Sequence, residues 1–151
     1  MIVPMTSDLD WTRFHAAFGD DPGVLPDGEV LESAEHDWDE VFAMLHRSGW
    51  KLTTSDGHSP LPPNRHGLAE FESFAVWPVD GVRVNFFPGP DAVIFDFDLR
   101  ELVNQARVDA VVHVMRKLGT TLGRDVVIRD EGSSGAPAIR YTTATDQFLL
   151  S

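Results

Sequence analysis

The 151-residue chain contains no cysteine, which excludes disulfides, thiolate catalysis, cysteine-held zinc and iron–sulfur clusters. Long apolar runs are missing as well. Ala92 to Phe95 stops after a few residues, far short of the roughly 20 that a membrane-spanning helix needs. The N-terminus, Met1-Ile2-Val3-Pro4-Met5, has neither a basic segment nor an apolar stretch of signal-peptide length, so a cytoplasmic location without a membrane partner is expected. Positive charge is scarce: 12 Lys plus Arg stand against 24 Asp plus Glu, for a net charge of −12. Such a surface suits neither nucleic-acid phosphates nor anionic lipid, both of which need positive potential. Phosphate-binding loops of the Gly-Lys-Ser/Thr and Gly-x-Gly-x-x-Gly kinds do not occur, nor does a Gly-x-Ser-x-Gly nucleophile elbow.

What is present is enough for one core. Hydrophobic residues make up 42% of the chain and aromatics 10%, and a chain of this length buries about two-thirds of the surface it exposes unfolded. No repeat and no linker interrupts it, so residues 1–151 are expected to form a single domain. The acidity is local. Residues 1–40 carry a net charge of −10 and residues 41–151 only −2. Helix N-termini and solvated loops attract carboxylates without any functional reason, but they account for only part of this excess. The remainder points to a basic protein partner, with Asp20, Asp21, Asp37, Asp39 and Glu40 as the expected contacts.

Periodicity supplies the elements. Trp11, Phe14 and Phe18 share a helical face, with Ser7 or Asp8 as cap and Gly19 as stop. Asp20 to Glu32 is rich in Asp, Pro and Gly and reads as a long loop. A second helix, about His36 to Arg47, aligns Trp38, Val41, Phe42 and Leu45 and ends before Gly49. Strands are expected at Trp50–Thr54, Phe71–Val79, Val82–Phe87 and Ala92–Phe97, separated by a second loop, Ser55 to Gly67, and by the turns Asp80-Gly81 and Pro88–Asp91. Asp-Gly between strand-like runs predicts a two-residue hairpin with positive φ at both positions. Pro78 should then face away from a pairing partner or belong to an edge. Asp98 caps a helix that runs through Gly119 with a break near Asn104-Gln105, and Val108, Val111, Val112, Met115 and Leu118 form its stripe. Two more strands, about 125–129 and 138–143, flank the flexible Gly132-Ser133-Ser134-Gly135. This order predicts an α+β fold: a mostly antiparallel sheet with two N-terminal helices and one helix between strands 4 and 5.

Candidate chemistry is thin. Val93-Ile94-Phe95-Asp96-Phe97-Asp98 resembles the first motif of the haloacid dehalogenase phosphohydrolases, in which Asp96 would be nucleophile and Asp98 acid/base beside magnesium. Leu99 and Arg100 follow where that family has other residues, and about fifty residues remain for its later motifs. Strand alternation is the simpler account: Val93, Phe95 and Phe97 face a core, Asp96 faces water and Asp98 caps a helix. His58 and His66, with Asp56 nearby, share a loop without metal-ligand spacing. Phe71, Phe74, Trp77, Phe86 and Phe87 lack the interleaved basic residues of an RNA platform. Neither a cofactor nor a metal is therefore expected.

Small, acidic, cysteine-free α+β chains with two opening helices and a central antiparallel sheet are the general form of immunity proteins of bacterial polymorphic toxin systems. This chain resembles them in that form and in the segment Val93 to Gly119, with Asp98-Leu99-Arg100-Glu101 and Met115-Arg116-Lys117-Leu118-Gly119. No diagnostic motif accompanies the resemblance, and no residue role is carried over from it. It implies a non-catalytic domain whose acidic surface caps the basic groove of a toxin, with association steered by charge. A structural or adaptor domain, using a sheet edge or an aromatic patch, and a hydrolase built on Asp96 and Asp98 are the alternatives.

Overall fold

A computed structural model describes residues 9–19, 23–70 and 72–150. It is an α+β fold: three helices and one eight-stranded sheet, antiparallel throughout, in the order β2-β3-β4-β5-β1-β6-β7-β8. The strands are β1 (Asp27–Val30), β2 (Lys51–Thr54), β3 (Phe74–Val79), β4 (Val82–Phe86), β5 (Ile94–Phe97), β6 (Val126–Arg129), β7 (Ile139–Thr142) and β8 (Gln147–Leu150). The helices are α1 (Trp11–Ala16), α2 (Trp38–Arg47) and α3 (Gln105–Leu122). Strands β2 to β5 and β6 to β8 form two meanders, and β1 is the strand that joins them. Both β5 and β6 run antiparallel to β1, hence parallel to each other, with α3 as the crossover between them.

The loop expected over residues 20–32 is corrected by β1, which occupies the middle of the sheet. Gly28 explains its disguise. It sits directly opposite Phe95, whose ring lies where a side chain at 28 would project: an added Cβ would fall 2.1 Å from it. With β1 counted, α3 lies between the fifth and sixth strands in chain order rather than between the fourth and fifth, and an eighth strand, β8, follows the two expected at the C-terminal end. The first helix ends at Ala16, short of Phe18, and its cap is Asp10, whose carboxylate accepts from the Arg13 N–H at 2.7 Å. The caps expected at Ser7 and Asp8, and the start of a strand at Phe71, lie outside the described residues.

Only Gly81 of the Asp80-Gly81 pair has positive φ. Upstream of the turn, β3 and β4 slip in register between Val76 and Val79, so that Trp77 and Pro78 together face Arg83. Pro78 has no N–H for the ladder, and a bulge is where a strand tolerates it. The break expected near Asn104 is real. Asp98 caps a single 3-10 turn, Leu99–Glu101, and Asn104 caps α3 by accepting from the Arg107 N–H at 3.0 Å. Gly123, at φ 64°, ends it in the left-handed conformation that a side chain disfavours.

All three helices cover one face of the sheet. Phe74 and Phe86 stack at 5.2 Å between ring centroids, Trp38 of α2 meets both edge-on, and Phe42 packs on Phe74 at 5.0 Å. Phe14 of α1 reaches Phe97. The predicted stripe of α3 is buried in full, and this helix spans β3, β4, β6 and β7. Each such fully buried large side chain contributes about 1.5–3 kcal/mol. No described helix covers the opposite face.

Candidate functional site

On the helix-free face one register row crosses six strands, Thr53, Ala75, Asn85, Asp96, Asp27 and Arg129, and all of it but Ala75 is polar. Trp77 donates its indole N–H to Thr53 Oγ1 at 3.2 Å and lies between Lys51 and Arg83, whose cations sit 5.0 and 5.4 Å from its ring. Arg83 donates to Asn85 Oδ1 at 2.7 Å, and Asn85 donates to Asp96 Oδ1 at 2.9 Å. Burial pushes the Asp96 carboxyl above the usual carboxylate range, and the charges of Asp27 and Glu131 push the same way, while the Asn85 hydrogen bond opposes them. Asp27 accepts from the Gly132 N–H at 3.3 Å, and Arg129 pairs with Glu29 at 3.0 Å. Like charges directly opposite cost stability, and these polar partners offset the cost for Asp27 and Asp96.

Asp98 is engaged in the turn that follows β5. Its carboxylate accepts from the Arg100 N–H at 2.9 Å and pairs with the Arg100 guanidinium at 2.8 Å, which holds its pKa below the usual range. Asp98 is thus the cap that was expected, while Asp96, expected to face water, is partly buried on the helix-free face. His58 belongs to a turn organised by Asp56, which accepts from the hydroxyl and N–H of Ser59 and from the His58 N–H. His66 lies in a separate 3-10 turn beside the Arg65–Glu35 ion pair. Among the described residues no group of three or more His, Asp or Glu side chains is arranged to hold a metal ion. No helix among them is long and apolar enough to cross a membrane.

The five acidic contact candidates divide. Asp20 and Asp21 lie outside the described residues. Asp37 is buried, and its carboxylate accepts from the Ala34 N–H at 2.8 Å, holding the turn that leads into α2. Asp39 and Glu40 are exposed in the first turn of α2. This turn adjoins the loop before β5, because Trp38 donates its indole N–H to the Gly89 carbonyl. The other described acids of the first forty residues are spread over several sides: Asp10 at α1, Asp27 and Glu29 on the helix-free face, Glu32 after β1 and Glu35 before α2.

A second group of exposed residues collects after β5 and was not legible in the sequence. Trp11, Val24, Leu25 and Val103 are four of the seven large hydrophobic residues that the described surface exposes. They sit on segments bonded to one turn, residues 99–103. The Trp11 indole donates to the Leu102 carbonyl at 2.7 Å, and the Leu99 N–H donates to the Val24 carbonyl at 2.8 Å. Gln105 fixes α1 here from both sides, accepting from the Trp11 N–H at 2.6 Å and donating to the Leu9 carbonyl at 2.8 Å. The His15 ring bonds the same Leu102 carbonyl at 2.8 Å. Trp11 shares the sequence stripe of Phe14 and Phe18, which are buried, yet it is itself exposed, with its indole N–H held by the Leu102 carbonyl.

Comparison with protein-family models, with curated proteins and with solved structures finds no match to this chain.

Proposed function

We propose that this chain is a non-catalytic protein-binding domain whose partner is a basic protein, in the manner of an immunity protein that caps the groove of a nuclease-like toxin. One observation carries the reading: of the exposed apolar group Trp11, Val24, Leu25 and Val103, the first three lie within the acidic first forty residues. The sequence between α1 and Val24 contains Asp20 and Asp21, and Asp10 caps α1 beside Trp11. Binding surfaces place aromatic and aliphatic anchors at the centre and charge at the rim. Asp39 and Glu40, at the other end of β5, add to the field that steers a cationic partner rather than to the same contact. Asp37 contributes charge while serving the turn before α2.

The partner to test is the product of the adjacent gene, because an immunity protein is normally encoded beside its toxin. Titration calorimetry of the two purified proteins over a range of salt should show affinity falling as salt rises. Trp11→Ala and Val103→Asp should each weaken binding at least tenfold if these side chains are the anchors. Joint substitution of Asp39→Asn and Glu40→Gln should slow association and flatten the salt dependence. A complex indifferent to salt and to all of these substitutions would refute the reading.

A further inference from the structure

We propose that the cleft between the turn before α2 and the loops at 65–70 and 88–90 receives an arginine side chain of the partner protein. The contact presupposes the basic partner proposed above and adds a second point of attachment, before β5, to the apolar group that follows it. The cleft holds about 420 Å³, within the roughly 300–1,000 Å³ of small-molecule sites. Its walls are apolar, with Leu68 from one loop and Pro88 and Pro90 from the other. Glu35 and Glu70 bring carboxylates to it, and Arg65 a guanidinium. The loops are held in place. The Trp38 indole donates to the Gly89 carbonyl at 3.3 Å, the Asn64 side chain accepts from the His66 N–H at 3.0 Å, and Glu72 accepts from the Ala69 N–H at 3.0 Å. Walls fixed before binding lose less freedom when the cleft is filled.

Charge and shape together select the occupant. Arg65 is compensated by Glu35, whose Oε1 it meets at 3.0 Å, and no described group engages Glu35 Oε2. Glu70 is exposed and has no ion-pair partner among the described residues. The flanking chain is acidic as well: Asp39 and Glu40 face solvent in the first turn of α2, Glu72 follows Glu70, and Asp91 follows Pro90. A negative potential around the slot repels an anion, and a neutral apolar group leaves the carboxylates unanswered. A long cationic side chain satisfies both parts, with its methylene stem against Leu68, Pro88 and Pro90 and its head at Glu70 and Glu35. Arginine serves better than lysine, because its planar fork of five N–H donors can reach two carboxylates at once. The field of Asp39 and Glu40 draws in any basic surface; the cleft selects one with an arginine projecting at the right place.

The probe is N-acetyl-L-arginine methylamide, titrated into the full chain and followed by amide chemical shifts. Saturable shifts are expected at Glu35, at Leu68 to Glu70 and at Gly89, with a Kd of roughly 1–20 mM. The citrulline analogue keeps the shape of arginine without its charge and should bind at least about fivefold more weakly, and Glu70→Gln should weaken the arginine probe by about as much. Asp80→Asn removes the same charge from the turn before β4, at the far end of that strand from Pro88. It should leave probe binding unchanged, because salt screens exposed charges beyond about 10 Å. The proposal is overturned if no saturable shift appears up to about 50 mM, if the citrulline analogue binds as tightly, or if Glu70→Gln and Asp80→Asn act alike. In the complex with the product of the adjacent gene, Glu70→Gln should weaken binding at least about threefold. A complex that forms and ignores Glu70→Gln overturns the cleft contact while the basic partner stands; a missing complex removes the partner itself.

Discussion

Replacing Gly28 by alanine tests why a segment with so little strand character forms the centre of the sheet. The added methyl would lie 2.1, 2.2 and 2.5 Å from three atoms of the Phe95 ring, against the ~3.5–4 Å of an ordinary carbon contact. The ring is fully buried and flanked by Phe86, with centroids 5.6 Å apart, so it cannot withdraw without disturbing the aromatic layer. Overpacking of this kind costs about 3 kcal/mol at the upper end of its usual range. Stiffening of the unfolded chain returns about 0.5–1 kcal/mol. A net loss of about 2 kcal/mol corresponds to a Tm lowered by roughly 4–8 °C at this chain length. Urea denaturation followed by circular dichroism reads it, and Phe95→Leu supplies the control. If the methyl and the ring compete for one space, the double variant should be at least ~1 kcal/mol more stable than the sum of the single losses. Strict additivity, or an unchanged midpoint in Gly28→Ala, would refute the account of β1.

Two titratable groups give further expectations. Tyr141 is the chain's one tyrosine; burial, then its hydrogen bond to Asp146, pushes its pKa well above the ordinary 10.0. Its contribution to stability is therefore complete below pH 10 and is lost as the pH rises further. Near-ultraviolet absorbance should show phenolate appearing only as the fold is lost, and ionisation of the folded protein at an ordinary pKa would contradict this. Asp96 has its pKa raised chiefly by burial, so its ionised form costs stability at neutral pH and the cost vanishes in acid below the ordinary 3.8. Asp96→Asn keeps an oxygen for Asn85 and should raise Tm modestly at pH 7, with the gain disappearing below pH 3.8. A lowered Tm at pH 7 would show that the carboxylate is needed as an anion.

The sequence makes elements legible where one pattern decides the outcome. The stripe of α3 is buried as its spacing requires, and β3 to β5 follow from alternation and turn residues. In β1 those signals conflict: Asp27 and Glu29 serve the helix-free face, Gly28 yields its space to Phe95, and only Val30 reads as core. The alternation of β8 is visible in Gln147-Phe148-Leu149-Leu150, but the strand is short and follows directly on a turn. For the surface, local acidity singled out Asp37, Asp39 and Glu40 without separating the carboxylate that holds a turn from those that face water. The apolar group was out of reach for a different reason. Val24 and Val103 are far apart in the chain, and only the hydrogen bonds around Leu99 to Leu102 bring their segments together.

The place of β1 between two meanders also imposes an order on biosynthesis. Its contact with β6 links residues 100 positions apart in the Glu29–Arg129 ion pair. During synthesis the first thirty residues must therefore leave the ribosome and wait, while β2 to β5 can already pair with their neighbours as they emerge. Nascent chains stopped before residue 126 hold β1 by one side only. The final third of the chain is thus a lock on the first, and C-terminal truncation should leave the opening segment exposed to proteases long before it disturbs the hairpins between.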